Sequence, residues 1–160
     1  MISTHPPILT AVAEPDVGAV IERAAQGHAA LMQGDLDRYR RHIQVSRDFT
    51  LMAPFGGLST RGNELSPERW AAIARFFRNG RDSTLELVQS YRSSDMVVLA
   101  VIERTVAEIG GLAAQPWALR VTLVFRREGC EWLLVHRHAD PLVGGISVQK
   151  AAELASGPAS

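Results

Sequence analysis

Cys130 is the only cysteine in the 160 residues, so no internal disulfide can staple the fold, and the chain suits a reducing, cytoplasmic setting. It follows Gly129 in an expected turn, with nothing basic placed to activate the thiol. Long apolar runs are also missing. None approaches the ~20 residues that a membrane-spanning helix requires. The opening Met1-Ile2-Ser3-Thr4-His5-Pro6-Pro7 lacks the basic segment and apolar block of a signal peptide. Neither sign of charge dominates, because 17 basic and 17 acidic side chains cancel. That balance leaves no electrostatic footprint for nucleic acid or for an acidic membrane. Internal repeats, a phosphate-binding loop, a nucleotide fingerprint and a Ser-His-Asp triad are absent as well, and no cofactor is called for.

What is present is enough for one core. Hydrophobic residues make up 46% and charged residues 21% of a chain of ordinary single-domain length. Residues 1–15 are Pro-rich and aperiodic and read as a loose arm, residues 16–143 as the domain, and residues 144–160 as a tail with a weak helix around Ser147–Leu154. Within the domain, Val17, Val20, Ile21, Ala24, His28, Leu31 and Met32 recur at three- and four-residue steps, the buried stripe of a helix. Gly34 ends that helix, and Asp35 caps a shorter one from Leu36 to about His42. A strand over Asp48–Ala53 stops at Pro54-Phe55-Gly56-Gly57. Ser66-Pro67-Glu68 then starts a helix with Trp70, Ile73, Ala74 and Phe77 as its core stripe and Asn79-Gly80 as its end.

From Thr84 the period changes to alternation. The pattern predicts strands from Thr84 to Tyr91, from Met96 to Ile109, from Trp117 to Arg126 and from Glu131 to His138, with Gly110–Pro116 as a loop. Helices first and long strands after predict an α+β fold, a curved antiparallel sheet wrapped as a cone around N-terminal helices. The central strands carry apolar residues on both faces, which predicts a homodimer through the back of the sheet.

Three strings carry a resemblance: "ALMQGDLDRYRRHI", "DFTLMAPFGG" and "RVTLVFRREGCEWLLVHRHADPLV". The helix–GDLD–helix opening and the W-x-L-V-H-x-H closing strand resemble the nuclear transport factor 2-like superfamily, also called the SnoaL-like or ketosteroid-isomerase-like fold. The closing strand is most similar to that of the association domains of calcium/calmodulin-dependent kinases and their free-standing bacterial relatives. The resemblance implies the cone fold and covers about Asp16 to Val143. It does not fix function, since the scaffold hosts isomerases, cyclases, hydrolases, transport factors and assembly hubs. It also argues against one activity. Aligning the shared strings puts the isomerase's aspartate base at Ala53, its tyrosine near Gly27 and its second acid near Val121, so all three roles are empty.

The last hairpin supplies the candidate residues. A three-residue turn, Glu128-Gly129-Cys130, sets Arg126 across from Trp132, Val124 from Leu134, Thr122 from His136 and Arg120 from His138. These eight then share one face. Arg120, Thr122, His136 and His138 would form a polar cluster able to hold an anion, with one histidine as general acid or base. In the purely structural alternative, backbone groups satisfy the histidines and Arg120 pairs with Glu103 or another acid. His136-x-His138-x-Asp140 has metal-ligand spacing, but no third ligand is fixed, so no metal is assigned. Glu103 and Arg104 lie mid-strand in apolar company, and whichever faces inward needs a partner, structural or ligand. Tyr39, Trp70, Tyr91 and Trp117 are candidate pocket walls, with plain core as the alternative. The expected function is a pocket for a small apolar or acidic molecule; if the protein is an enzyme, the family implies a lyase, cyclase or isomerase step on a carbonyl or carboxylate compound. The alternative is a non-enzymatic assembly module that uses the sheet surface.

Overall fold

The structure, a computed structural model, describes residues 17–157. The expected loose arm and the last three residues lie outside that range. Helix α1 (Val17–Met32) buries Val20, Ala24, Gly27 and His28 along one side, as its spacing demands. It ends where Gly34 takes a φ of 75°. The Gly34 and Asp35 amides donate to the carbonyls of Leu31 and Ala30, a glycine-dependent helix stop. Asp35 caps α2 (Leu36–His42), its carboxylate accepting from the Arg38 amide at 2.9 Å. Gly27 lets the two helices close up, because a Cβ there would sit 2.5 Å from Ile43 Cγ1.

After β1 (Val45–Met52) and the short β2 (Thr60–Arg61), a single 3₁₀ turn leads to α3 (Pro67–Phe76). Ser66 caps α3 by accepting from the Arg69 amide, with Pro67 in the first turn. The expected helix extends to Asn79-Gly80, but the chain turns extended at Phe77 and enters β3 (Phe77–Arg92) without a loop. Asn79-Gly80 is therefore an irregularity inside a strand. Asn79 and Asp82 both adopt a φ of 54°, where the β3–β4 register shifts. Asn and Asp tolerate this left-handed geometry better than most residues, and such bulges bend a strand. The bend carries β3 around the end of α1. Gly80 is required there, since a Cβ would meet the Met32 backbone at 2.6 Å.

Strands β4 (Met96–Ile109), β5 (Leu112–Glu128) and β6 (Glu131–Pro141) follow. The expected loop over Gly110–Pro116 shrinks to the turn Gly110-Gly111, with both residues at positive φ. Pro116 sits within β5 opposite Val106, in a stretch that β6 does not reach, so one edge is free of ladder bonds and a missing N–H is tolerated. The sheet order is β2-β1-β6-β5-β4-β3. It is mixed rather than wholly antiparallel: β1 runs parallel to β6. The open, six-stranded sheet curls around the helices, and its inner face carries Val97, Leu99, Val101, Leu119, Val121, Leu123 and Phe125 against α1 and α2. Helix α4 (Val148–Ala155), capped by Ser147, buries none of its residues.

The final hairpin differs from expectation in one decisive way. Its turn has two residues, with Glu128 opposite Glu131, and the register then slips between Val124 and Phe125. Val135 is the extra residue on β6. Thr122 consequently faces His138 rather than His136, and Arg120 faces Asp140 rather than His138. Arg126 lies opposite Leu133, and Val124 opposite His136.

Candidate functional site

Side chains of β4 and β5 alternate between the helix-covered inner face and the outer face. The residue pairs just named place Arg120, Thr122, His136 and His138 together, but on the outer face. There Arg120 donates twice to the Asp140 carboxylate, at 2.9 and 2.6 Å, which lowers the pKa of Asp140. His136 Nδ1 is hydrogen-bonded to Thr50 Oγ1 at 2.7 Å. Among the described residues no three His, Cys, Asp or Glu side chains come close enough to hold a metal ion. Tyr91 also lies on this face, opposite Val98 and 61% exposed, and is therefore no wall of the cone.

The inner face holds a different polar cluster. Glu103 on β4 points into the core and is only 2% exposed. Arg137 on β6 donates to it from Nη1 at 2.8 Å and from Nη2 at 2.6 Å, a fork-on-fork pair. From α1, His28 Nδ1 approaches the same carboxylate at 3.3 Å, while its Nε2 lies 3.3 Å from the Arg104 carbonyl. Burial pushes the Glu103 carboxyl up, but the charge and hydrogen bonds of Arg137, with help from His28, outweigh it and hold the group well below the usual carboxylate range. Arg137, raised in turn by Glu103 against its own burial, stays a cation.

Arg137 and Tyr39 form the floor of a cavity of about 130 Å³ in the mouth of the cone. Its walls are apolar: Leu31 and Met32 from α1, Phe49 and Leu51 from β1, Trp70 and Ile73 from α3, and Trp117 and Leu119 from β5. Behind the floor lies a smaller void of about 30 Å³ bordered by His28, Tyr39, Glu103 and Arg137. Tyr39 packs against Trp70 at 5.7 Å between ring centroids. Burial pushes its phenol up to about 12, so at neutral pH it is a hydrogen-bond donor. At the rim Phe55 stacks on Trp117 at 5.8 Å, and the Trp117 indole N–H is buried without a partner among the described residues.

Of the residues expected from the sequence, the structure thus joins Glu103, Tyr39, Trp70 and Trp117 around the cone. It gathers Arg120, Thr122, His136 and His138 on the opposite face. Arg137 and His28 were not anticipated as site residues. The one signal in the sequence is the mid-strand pair Glu103-Arg104, since whichever of the two faces inward requires a partner.

Ala53, where the isomerase base would fall, lines the same cavity and offers no proton acceptor. A model of the SnoaL-like domain matches residues 20–143, which is most of the chain and takes in every element from α1 to β6. The chain belongs to the SnoaL-like domain family. Solved structures agree on the fold. An NTF2-like protein from Cytophaga hutchinsonii superposes with a TM-score of 0.63 at 12% identity, over 80% of this chain and 99% of its own. A suggested dehydratase of the NTF2-like family from Streptomyces avermitilis gives 0.63 at 20%, over 81% and 98%. A suggested calcium/calmodulin-dependent protein kinase type II association domain from Thiobacillus denitrificans gives 0.57 at 23%, over 76% and 93%. No curated protein matches the sequence. This SnoaL-like domain has no helix long and apolar enough to cross a membrane among its described residues.

Proposed function

We propose that the cone binds a small, mostly apolar molecule through a carbonyl or carboxylate end. The observation that carries this reading is the cavity's asymmetry: apolar walls over a floor whose two polar groups, Tyr39 and Arg137, are both hydrogen-bond donors. A phenol held protonated and a buried guanidinium polarise an oxygen acceptor, and the low-dielectric surroundings strengthen that effect. The cavity lining includes no carboxylate or imidazole. Binding and polarisation are therefore better supported than proton abstraction within the cone, and His136 and His138 face away from it. A lyase-like step of the kind suggested for the Streptomyces relative would need its base from the ligand itself or from solvent.

The test is a thermal-shift titration of wild type and Tyr39→Phe with benzoate, acetophenone and toluene. A ligand that binds only the folded state, at a hundred times its dissociation constant, adds about 2.7 kcal/mol. Benzoate and acetophenone are expected to raise the wild-type midpoint more than toluene does, and Tyr39→Phe to lose part of that gain. Equal responses to all three compounds would remove the donors' role. No response at all would remove the pocket.

A second reading rests on the back of the sheet. Val88 is 64% exposed and Tyr91 61%, and they continue the apolar surface of Ala100 and Ile102 on the outer face. An apolar sheet face of this kind fits pairing with a second copy, for which stable contacts bury ~800 Å² per partner. Sedimentation equilibrium tests it: a wild-type dimer converted to monomer by Val88→Asp supports the assembly surface, and a monomeric wild type removes it.

A further inference from the structure

Two apolar surfaces of this chain are left open, and a short stretch of the chain joins them. The first belongs to α4. At 3.6 residues per turn, Val148, Ala151, Ala152 and Ala155 fall on one side with Leu154 at its edge, while Gln149, Lys150 and Glu153 fall on the other. The apolar side is uncovered, with Val148 80% and Leu154 65% exposed. An isolated helix below ~12–15 residues is marginal in water and takes most of its stability from packing of its apolar face. α4 has eight residues, and its Ser147 cap contributes only about 1 kcal/mol. It therefore needs a surface to lie on.

The second open surface is the rim of the cone. Phe55 stacks on the cavity wall residue Trp117 and meets Phe76 edge-on at 5.4 Å between ring centroids. Leu58, in the same β1–β2 loop, is 99% exposed. The Gly110 amide donates to the Phe76 carbonyl, which brings the exposed Leu112 to this edge as well. Such a patch around a cavity mouth calls for a cover.

The tail starts at that rim. The Leu142 amide donates to the Ala118 carbonyl at 2.9 Å, so the chain leaves β6 beside Trp117. Five residues, 143–147, lead from there to α4. Extended, they reach ~17 Å, more than the ~12 Å length of the helix itself. Within them, even a Cβ added at Gly144 or Gly145 would meet nothing inside 4 Å, so the tether is free to turn. The apolar outer face is a poorer destination. Val88 lies on β3, three strand spacings from β6, or ~14 Å across the sheet. The charged Arg120–Asp140 pair stands in between.

Resting on the reading of the cone as a binding pocket, we propose that α4 is its lid. The side bearing Val148, Ala152 and Ala155 folds onto Phe55, Leu58 and Phe76, and Lys150 and Glu153 stay in water. Gly144-Gly145 is the hinge. Closure buries apolar surface on both sides and keeps water from the Tyr39–Arg137 floor, where a drier setting strengthens both donors.

Disulfide trapping tests where α4 docks without any ligand. In a Cys130→Ser background, Leu58→Cys/Ala151→Cys is compared with Val88→Cys/Ala151→Cys under oxidised glutathione. A bridge needs Cα atoms within about 7 Å. The Leu58 pair is expected to close within one chain, at least tenfold faster than the Val88 pair. A faster Val88 pair places α4 on the outer face, a bridge between two chains places it on a second copy, and no bridge leaves it undocked; each overturns the inference. The functional arm follows acetophenone release by stopped-flow fluorescence of Trp70 and Trp117. A chain ending at Val143 is expected to release it roughly tenfold faster than the full chain, the worth of about 1.4 kcal/mol of closure. Equal release rates overturn the lid while leaving the pocket standing. If acetophenone does not bind the full chain, the pocket reading fails and the lid's role falls with it, whatever the bridges show.

Discussion

Replacing Glu103 with leucine puts the inner cluster to its hardest test. The substitution keeps the side chain's bulk and removes the one anion that Arg137 and His28 share. Arginine cannot be neutralised in a protein, so Arg137 is left as a buried, unpaired cation. Breaking a buried ion pair on one side costs about 3–5 kcal/mol. With a urea dependence of about 2 kcal/mol per molar, the unfolding midpoint should fall by roughly 1.5–2.5 M. For a chain of this size the same loss lowers the melting temperature by about 6–20 °C. The double variant Glu103→Leu/Arg137→Met removes both charges and fills the space with apolar groups, a change that is often neutral or better for buried pairs. It should recover most of the lost stability, and the double-mutant cycle should show a coupling well above the ~0.5 kcal/mol expected of independent sites. Urea unfolding at pH 7, followed by circular dichroism, decides the matter. A single variant within about 1 kcal/mol of wild type, or a double variant no better than the single, would refute the picture of a desolvated pair.

Three further outcomes follow from the same geometry. The stability that Glu103 contributes should be fully present above its unfolded pKa of about 4.3 and be lost only as pH falls toward its lower folded value; a gap between wild type and Glu103→Gln that closes above about pH 5 would contradict the depressed pKa. Tyr39, pushed up to about 12 by burial, should remain a phenol at about pH 10.5, where a free tyrosine is largely phenolate. Stability should accordingly decline as pH rises from about 10 toward 12, and ultraviolet difference spectra of wild type against Tyr39→Phe read the ionisation directly. Gly80→Ala should destabilise by about 1–3 kcal/mol through overpacking, because the new methyl would press on the Met32 backbone at 2.6 Å; a urea midpoint equal to wild type would show that β3 can shift to admit it.

Much of this architecture is legible in the sequence, because local chemistry sets it. Gly34-Asp35 punctuates two helices, Ser66-Pro67 opens a third, and alternation over β4 and β5 gives strands with one strongly apolar set. Less legible is what depends on register over a distance. Asn79-Gly80 carries the composition of a helix end, yet it serves as a bend within β3, since its role is fixed by the end of α1 packed against it. The parallel pairing of β1 with β6 leaves no local mark at all.

The closing strand shows how a single residue separates the expected site from the observed one. Continuous alternation along β6 places Leu134, His136 and His138 on one face, which makes the histidines look like pocket residues and Arg137 like surface. The bulge at Val135 breaks that alternation. Before it, Leu134 faces the core; after it, Arg137 and Ala139 do, opposite Leu123 and Val121. A two-residue turn plus one bulge has the same parity as the three-residue turn first expected. That is why Arg120, Thr122, His136 and His138 still end on a common face, though shifted by one pair. Parity alone cannot say which face the helices cover. Leu119, Val121, Leu123 and Phe125 bear on that question, since the larger apolar set of β5 belongs inside and its partners Arg120 and Thr122 outside. Glu103 bears on it too, as a carboxylate among inward-facing valines that requires a cation on the neighbouring inner surface. Taken together, these two constraints select Arg137 as the partner. The bulge is then a necessity rather than an irregularity, because Leu134 and Arg137 can share the inner face only if one residue between them is left out of the alternation.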